Sequence, residues 1–309
     1  MQRRPLGQTG IEVSRLGFGA ASLGEEYGPI DLSTALDAVP AALDAGITFL
    51  DTSPYYGRGR SEVLLGFALR GIPRDRYTLC TKLGRYGAER FDFSPGRIRE
   101  SVETSLDRLG TDHLDVVLCH DVEFVDRAAI VDTAMPTLHQ LKAEGLVRAV
   151  GCSAYPPAAL RFVVEQGAVD VILSYANLTL HNQRLRPLLD DCVARGVGVI
   201  DAAPFDMRLL TDTEPPPWHP APAELRDAVA KARVRCAEHG TTLARLAFQA
   251  ALAEPDVATT VVGTAHVAEI REWIDWLDAP FDDRLAAELR RMLAATAGPA
   301  RIVGRPENN

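Results

Sequence analysis

The sequence lacks the features that place a chain in a membrane or an export pathway. No run of about 18 apolar residues occurs, so no membrane-spanning helix is expected. The N-terminal stretch MQRRPLGQTG is basic, but no apolar segment follows it, which argues against a signal peptide. These absences predict a cytoplasmic protein with no membrane partner.

The cysteines, histidines and basic residues do not form the clusters that disulfide, metal or nucleic-acid sites need. The cysteines are far apart in the sequence: Cys80, Cys119, Cys152, Cys192 and Cys236. They form no CxxC pair, so buried, reduced thiols are expected. No two of the seven histidines have metal-ligand spacing, so no metal site is predicted. The net charge of −9, with acids and bases interspersed, argues against nucleic acid as a partner.

Short apolar runs alternate with longer amphipathic runs along most of the chain. Eight runs are predicted to be strands: residues 16–22, 47–51, 77–82, 114–120, 147–153, 170–175, 197–202 and 258–263. Their apolar residues are continuous rather than alternating, as in parallel sheets buried on both faces. Eight such units in about 250 residues predict an α/β protein with a (β/α)8 barrel. A doubly wound open sheet is the alternative, but it usually carries GxGxxG after its first strand, and GFGAAS lacks the third glycine.

Two segments lie outside this repeat. Residues 2–13 have the pattern of two short strands around a GQTG turn, which would close the N-terminal end of the barrel. Residues 204–222 carry six prolines and predict a long loop on the C-terminal face, where long loops tend to be functional. We expect a single domain over residues 1–309, with a loosely ordered tail from about residue 296.

Polar residues stand at the ends of the predicted strands. Asp51 ends the second strand, with Tyr55 and Tyr56 just beyond it. Lys82 ends the third strand and His120 ends the fourth. Because the catalytic groups of such barrels sit at the C-terminal ends of the strands, we expect these side chains at one rim.

Together, these residue types can form a proton relay. A lysine beside a tyrosine favours the tyrosinate, and an aspartate keeps that lysine charged in a low-dielectric setting. A histidine can hydrogen-bond a substrate oxygen, so the set suits interconversion of an alcohol and a carbonyl. No side chain accepts hydride, so a nicotinamide cofactor is implied. A purely structural salt-bridge cluster is the alternative interpretation.

The motifs resemble those of the aldo-keto reductase superfamily. GITFLDTSPYYGRGRSEVLLG is similar to its signature, TLCTKLG to its lysine strand, LDVVLCHD to its histidine strand and VRAVGCSAY to its cofactor-amide strand. Within the superfamily, the stretches TSPYYG, CHDVEF and VDVILSY most resemble the L-galactose dehydrogenases and the related L-fucose (aldose 1-) dehydrogenases. The resemblance implies NAD-dependent oxidation of an aldose at C1 to the aldonolactone.

The resemblance also assigns roles to individual residues. The catalytic four would be Asp51, Tyr56, Lys82 and His120, with Tyr56 chosen because the family tyrosine precedes a glycine. The family asparagine that contacts the nicotinamide amide is replaced by Ala154, and Ala202 stands where many members stack a tyrosine on the nicotinamide. The implied cofactor-binding residues are Gly19, Ala20, Ser153, Ser174, Pro204, Phe205, Met207, Leu209, Gly263, Thr264, Glu269 and Glu272.

The expected cofactor is NAD rather than NADP. Members that prefer NADP place basic or serine side chains near Ala265 and His266, whereas here no Arg or Lys lies between Gly263 and Ile270. Carboxylates in this region would repel a 2′-phosphate and can accept hydrogen bonds from ribose hydroxyls.

The rim also offers residues that could bind the sugar. The expected substrate-binding residues are Tyr55, Asp121, Glu123, Phe124 and Trp218. A solvated loop is the alternative for Asp121 to Phe124, and packing of the loop is the alternative for Trp218.

Two other functions stay open at this stage. One is an NAD(P)H-dependent aldehyde or ketone reductase of secondary metabolism. The other is a nicotinamide-binding regulatory subunit. The expected partner is a small-molecule sugar, and the chain is expected to be a monomer, with weak homo-oligomerisation as the alternative.

Overall fold

The N-terminal segment forms a hairpin that closes one end of a barrel. Strands β1 (Arg3–Pro5) and β2 (Glu12–Ser14) pair antiparallel. The hairpin buries Leu6, Ile11 and Val13 in the apolar cluster that fills the barrel. Gly7 lies against the barrel wall, where an added Cβ would sit 2.4 Å from the amide nitrogen of Gly198. The predicted closing hairpin is therefore confirmed.

Eight parallel strands form the barrel in the computed structural model, which describes residues 1–213, 215–216, 219–296 and 302–309. In chain order they are β3 (Leu16–Gly19), β4 (Phe49–Asp51), β5 (Thr78–Leu83), β6 (Leu114–Cys119), β7 (Val147–Ala154), β8 (Val171–Tyr175), β9 (Gly198–Ala202) and β10 (Thr259–Gly263). Each strand pairs with the next, and β10 also pairs with β3, which closes the ring. The predicted (β/α)8 barrel is confirmed.

Helices surround the barrel. The α-helices of the described ranges are α1 (Leu32–Asp44), α2 (Arg60–Ala68), α3 (Pro95–Leu109), α4 (Met135–Ala143), α5 (Pro157–Glu165), α6 (Arg186–Arg195), α7 (Ala223–Glu238), α8 (Leu243–Leu252), α9 (Val267–Asp278) and α10 (Asp283–Ala294). The Asp31 carboxylate caps α1 by accepting from the Ser33 and Thr34 amides at 2.9 and 3.3 Å. None of the helices in these ranges is both long enough and apolar enough to cross a bilayer.

Side chains alternate between the barrel interior and the helix layer along each strand. Inward residues such as Phe49, Cys80 and Ile200 share one apolar cluster, while outward residues such as Leu50 and Leu79 pack under the helices. The pattern changes at the C-terminal ends of the strands, where polar residues take over the inward positions.

The C-terminal residues pack back onto the barrel rim. The side-chain amide of Asn308 donates to the backbone carbonyls of Glu123 and Val125, both at 2.9 Å. The backbone amide of Arg305 also donates to the Glu123 carbonyl. Residues 302–309 therefore contact the barrel, and the loose order expected of the tail from about residue 296 stays a prediction. Residues 297–301 lie outside the described part of the chain.

Candidate active site

Three neighbouring strands bring an ion pair and a histidine to the inner rim. Asp51 ends β4, Lys82 points inward from β5 and His120 follows β6; all three are buried. The Lys82 ammonium donates to both Asp51 carboxylate oxygens at 2.7 and 2.6 Å and to the Thr52 carbonyl at 2.9 Å. Three acceptors for its three N–H bonds fix the ammonium in place.

The turn after β4 places Tyr56 over this ion pair. The Lys82 nitrogen lies 4.9 Å from the centre of the Tyr56 ring. Two glycines make the placement feasible, because a Cβ on Gly24 would lie 2.7 Å from the Tyr56 carbonyl carbon and Gly57 has a φ of +58°. The close approach requires glycine at the first position, and the left-handed backbone favours it at the second.

The structure corrects the expected charge of Tyr56. Burial raises the pKa of Tyr56 above its ordinary value, and the carboxylates of Asp51 and Asp121 reinforce it against the opposing effect of Lys82. Lys82 keeps its proton because the Asp51 carboxylate outweighs the burial that would lower its pKa. Because burial outweighs the lysine, with Asp51 adding to the effect of burial, Tyr56 is a phenol in the free protein and not the tyrosinate that the lysine alone would favour.

His120 is neutral. Burial lowers its pKa to about 3 against the opposing effect of the Asp121 carboxylate, and the cations of Lys82 and Arg85 add to the lowering. Its Nδ1 lies 3.1 Å from the Ser53 hydroxyl, which already accepts from the Tyr55 amide at 3.0 Å. The Ser53 proton is then free to point at Nδ1, which favours the tautomer with a proton on Nε2. His120 can therefore donate to a substrate oxygen but does not titrate near neutral pH.

An arginine that the sequence did not single out organises the rim. Arg85 forms an ion pair with Asp121 and stacks over the Tyr55 ring with its guanidinium carbon 4.2 Å from the ring centre. The same carbon lies 5.4 Å from the ring centre of Phe124, which itself stacks on Phe91 at 5.2 Å. The predicted substrate residues Tyr55, Asp121 and Phe124 thus share one wall. The available signal was the position of Arg85, three residues after Lys82, in the loop that follows β5.

Glu123 lies behind this wall and is fully buried. One carboxyl oxygen accepts from the Tyr155 amide at 3.1 Å and from the Tyr175 hydroxyl at 3.4 Å. The other oxygen has no partner among the described residues. Burial and the nearby charge of Asp121 raise the pKa of Glu123 to about 8. Glu123 is therefore protonated at neutral pH, and it belongs to the support of the wall rather than to a solvated loop.

Replacing Glu123 with glutamine should flatten the dependence of Tm on pH. A carboxyl whose pKa is raised on folding binds a proton in the folded chain that the unfolded chain releases, so wild-type stability falls as pH rises from about 4.5 to about 8. Glutamine keeps the shape and carries no charge. Thermal melts between pH 5 and 9 measure the effect, with the exposed Glu165→Gln as control. Parallel losses of Tm in wild type and variant would contradict the assignment.

Three of the predicted cofactor residues near the strand ends, Gly19, Ala20 and Gly263, have little or no side chain, so they offer mainly backbone atoms to a ligand. Gly19 and Gly263 are paired in the barrel, and a Cβ on Gly263 would sit 3.0 Å from the Gly19 carbonyl oxygen. Ala20 follows in a short 3-10 turn. Ser153 points inward and accepts from the Asp121 amide at 3.2 Å, which leaves its own proton free for a ligand carbonyl. These groups fit the amide end of a nicotinamide ring.

Ser174 is not brought into this cluster. Its neighbours Leu173 and Tyr175 belong to the interior cluster, so alternation along β8 turns Ser174 outward. Its hydroxyl accepts from the Asn177 amide at 3.2 Å. A direct contact between this side chain and a cofactor at the barrel mouth is not supported.

The loop after β9 holds four of the predicted cofactor-binding residues, Pro204, Phe205, Met207 and Leu209. Phe205 packs on the rings of Phe248 and Trp276, and Leu209 is buried in a second apolar cluster. Pro204 is buried and Met207 is half-buried. Trp218 lies outside the described residues, so its predicted substrate contact stays a prediction.

The opposite side of the mouth is acidic. The Thr264 hydroxyl donates to the Glu269 carboxylate. The pKa of Glu272 is raised by partial burial and by the carboxylates of Glu269, Asp212 and Asp275, so these acids lie close together. No group of three His, Cys, Asp or Glu side chains within the described residues has metal-binding geometry.

Comparisons with known proteins agree with this site. The model of the aldo/keto reductase family matches residues 15–294. The chain is 42% identical to an L-galactose dehydrogenase of Arabidopsis thaliana over 88% of this chain and 86% of the relative. It is 37% identical to a D-arabinose 1-dehydrogenase of Saccharomyces cerevisiae, over 85% of this chain and 82% of the relative.

A solved structure extends the similarity over the whole chain. The holo form of an aldo-keto reductase from Bacillus halodurans superimposes with a TM-score of 0.81 and 27% identity, covering 100% of both chains. The family model, the fold and the four residues at the strand ends point to one conclusion. The chain belongs to the aldo/keto reductase family.

Proposed function

We propose that this protein oxidises the C1 hydroxyl of a free aldose to the aldonolactone, with NAD as hydride acceptor. The arrangement of Tyr56 over the buried Lys82–Asp51 pair, with a neutral His120 beside it, carries the proposal. The names of similar proteins support the substrate class, since L-galactose dehydrogenase, D-arabinose 1-dehydrogenase and a D-threo-aldose 1-dehydrogenase of Pseudomonas all act on aldoses.

Each residue of the cluster has a distinct task in this reaction. The oxidised nicotinamide supplies the hydride acceptor. Once the Tyr56 phenol has released its own proton to solvent, its oxygen takes the proton of the C1 hydroxyl. Lys82, held by Asp51, stabilises the negative charge on that oxygen until the proton arrives. His120 donates from Nε2 to the hydroxyl oxygen and orients it. Because the free phenol has a raised pKa, we expect oxidation to be faster at alkaline pH.

The charges of the pocket favour an uncharged substrate. Lys82 is paired with Asp51 and Arg85 with Asp121, while Glu123 is protonated at neutral pH. No unpaired cation among these groups would attract an anionic sugar acid. The hydroxyls of a neutral aldose suit the Arg85–Asp121 pair, and the rings of Tyr55 and Phe124 suit its CH face.

The acidic side of the mouth favours NAD over NADP. Glu269 and Glu272, in the first two turns of α9 (Val267–Asp278), lie near Asp212. A 2′-phosphate placed there would meet like charges, whereas the ribose hydroxyls of NAD can donate to carboxylates.

A spectrophotometric assay tests the function directly. Purified protein is mixed with NAD or NADP and a panel of L- and D-aldoses, and reduced cofactor is followed by absorbance. We expect turnover of at least one neutral aldose, with kcat/KM for NAD about tenfold or more above that for NADP. No turnover of any aldose, with NADPH-dependent reduction of aldehydes or ketones instead, would make the chain a reductase. An equal or better kcat/KM with NADP would refute the cofactor preference alone.

We further propose that the protein works as a monomer in the cytoplasm. The five free cysteines are all buried thiols, which supports a reducing compartment. The proposed reaction uses residues from this one chain.

A further inference from the structure

The loop after β9 contains a strained turn at the barrel mouth. Asp206, Met207 and Arg208 are consecutive non-glycine residues with positive φ angles of 44°, 49° and 78°. Each such residue costs roughly 1 kcal/mol or more, so the surrounding contacts must hold the turn in this shape. Strained backbone conformations of this kind cluster at active sites and ligand-binding sites.

Two histidines from different segments hold the turn through Asp206. His181, from the loop after β8, lies with Nε2 3.2 Å from an Asp206 carboxylate oxygen. His219, from the proline-rich segment, lies with Nε2 3.0 Å from the Asp206 carbonyl and 3.6 Å from its carboxylate. The Ala221 amide donates to Nδ1 of His219, so Nε2 carries the proton and donates to Asp206.

This His181–Asp206–His219 clamp is built into the protein rather than exposed. The three side chains are at most 10% exposed. Burial raises the pKa of Asp206, but the hydrogen bonds from the two histidines more than offset it and lower the pKa to about 2. The carboxylate is therefore ionised at working pH, and the clamp ties three loops of the C-terminal face together.

The turn presents backbone N–H groups. The amides of Leu209 and Thr211 bond to carbonyls inside the turn. The amides of Met207 and Arg208 have no acceptor within the described part of the chain. Successive free amides in a turn of this kind form a concave anion site.

We propose that Asp206 is a positioning residue, which His181 and His219 hold so that the 206–208 turn is preformed to receive the pyrophosphate of the dinucleotide. The proposal rests on the proposed function only for the identity of that anion. The clamp lowers the cost of ordering the loop on binding, so it acts on cofactor affinity and not on the proton relay.

The test measures NADH binding by fluorescence in wild type, Asp206→Ala, Asp206→Asn, His181→Ala and His181→Gln. We expect Kd to rise about tenfold in Asp206→Ala and His181→Ala. His181→Gln should recover much of the affinity, because an amide N–H can still donate to Asp206. KM for the aldose at saturating NAD should stay within about twofold, since no clamp residue lies at the relay. His239→Ala is the matched control, because it removes a histidine that lies 3.7 Å from Asp282, away from the site.

Hydrogen exchange of the peptide covering residues 203–213 gives a second readout without activity. In the free protein, exchange should be faster in Asp206→Ala and His181→Ala than in wild type and His239→Ala. Wild-type Kd and wild-type exchange in these variants would overturn the clamp while leaving the proposed function intact. Should the wild type bind no NADH and oxidise no aldose, the proposed function fails, and the exchange data still decide whether the clamp holds the turn. Should Asp206→Ala not fold, Asp206→Asn and His181→Ala decide the matter.

Discussion

Replacing Tyr56 with phenylalanine should lower kcat by roughly 10³-fold, because general acid–base groups contribute on this order. The change removes one oxygen and leaves the ring in place, so the ring's contact with Lys82 and its edge-on packing against His120 should persist. The Kd for NADH should therefore stay near the wild-type value. Steady-state turnover and NADH fluorescence measure the two effects separately.

Tyr55 provides the matched control for this experiment. Its ring also packs edge-on against His120, with ring centres 5.8 Å apart, and its hydroxyl lies 3.4 Å from Arg85. Tyr55→Phe should mainly raise KM for the sugar, because Tyr55 belongs to the wall. Full activity in Tyr56→Phe, or an equal loss of kcat in Tyr55→Phe, would show that the proton passes through another group.

Replacing Lys82 with methionine should abolish turnover and also destabilise the fold by about 3–5 kcal/mol, because it strands the buried Asp51 carboxylate without its cation. Both side chains of this pair are at most 6% exposed. The free energy of unfolding from urea titration measures the loss. Lys142→Met is the control, since it breaks an ion pair of the same 2.6 Å length whose partners are 35% and 25% exposed. That change should cost about 1 kcal/mol or less.

The double variant Asp51→Asn/Lys82→Met separates stability from chemistry. It removes both charges, so much of the lost stability should return, whereas activity should not. A double variant as unstable as Lys82→Met would show that packing, and not the stranded charge, causes the loss. A double variant with activity would show that the ion pair is structural, which is the alternative that the sequence left open.

The barrel and the four clustered residues were predictable because both follow from local patterns. Continuous apolar strands of similar length predict a parallel barrel, and strand ends then place Asp51, Lys82 and His120 at one rim. The outward direction of Ser174 was also predictable, since alternation along β8 opposes it to Tyr175. The resemblance to family members, in contrast, implied that Ser174 binds the cofactor.

The remaining features depend on contacts that no local pattern encodes. Asn308 reaches the carbonyl of Glu123 across 185 positions of sequence. Glu62, which looks like an acid in the first turn of a helix, is buried and accepts from Thr81 and Ser105 at 2.8 and 2.7 Å. The charge of Tyr56 likewise depends on how deeply the turn buries its ring, which spacing does not reveal.

The way the barrel closes affects how the chain folds while it is being synthesised. β3 hydrogen-bonds to β10 on one side, with Leu16 opposite Thr260. During synthesis the first barrel strand therefore emerges long before its second neighbour exists, and one of its edges stays open. The open edge of an apolar strand can pair with another chain and start aggregation. Strand pairing between residues so distant in sequence also forms slowly. High-yield production should therefore benefit from slow translation, low temperature or chaperones that shield a growing sheet.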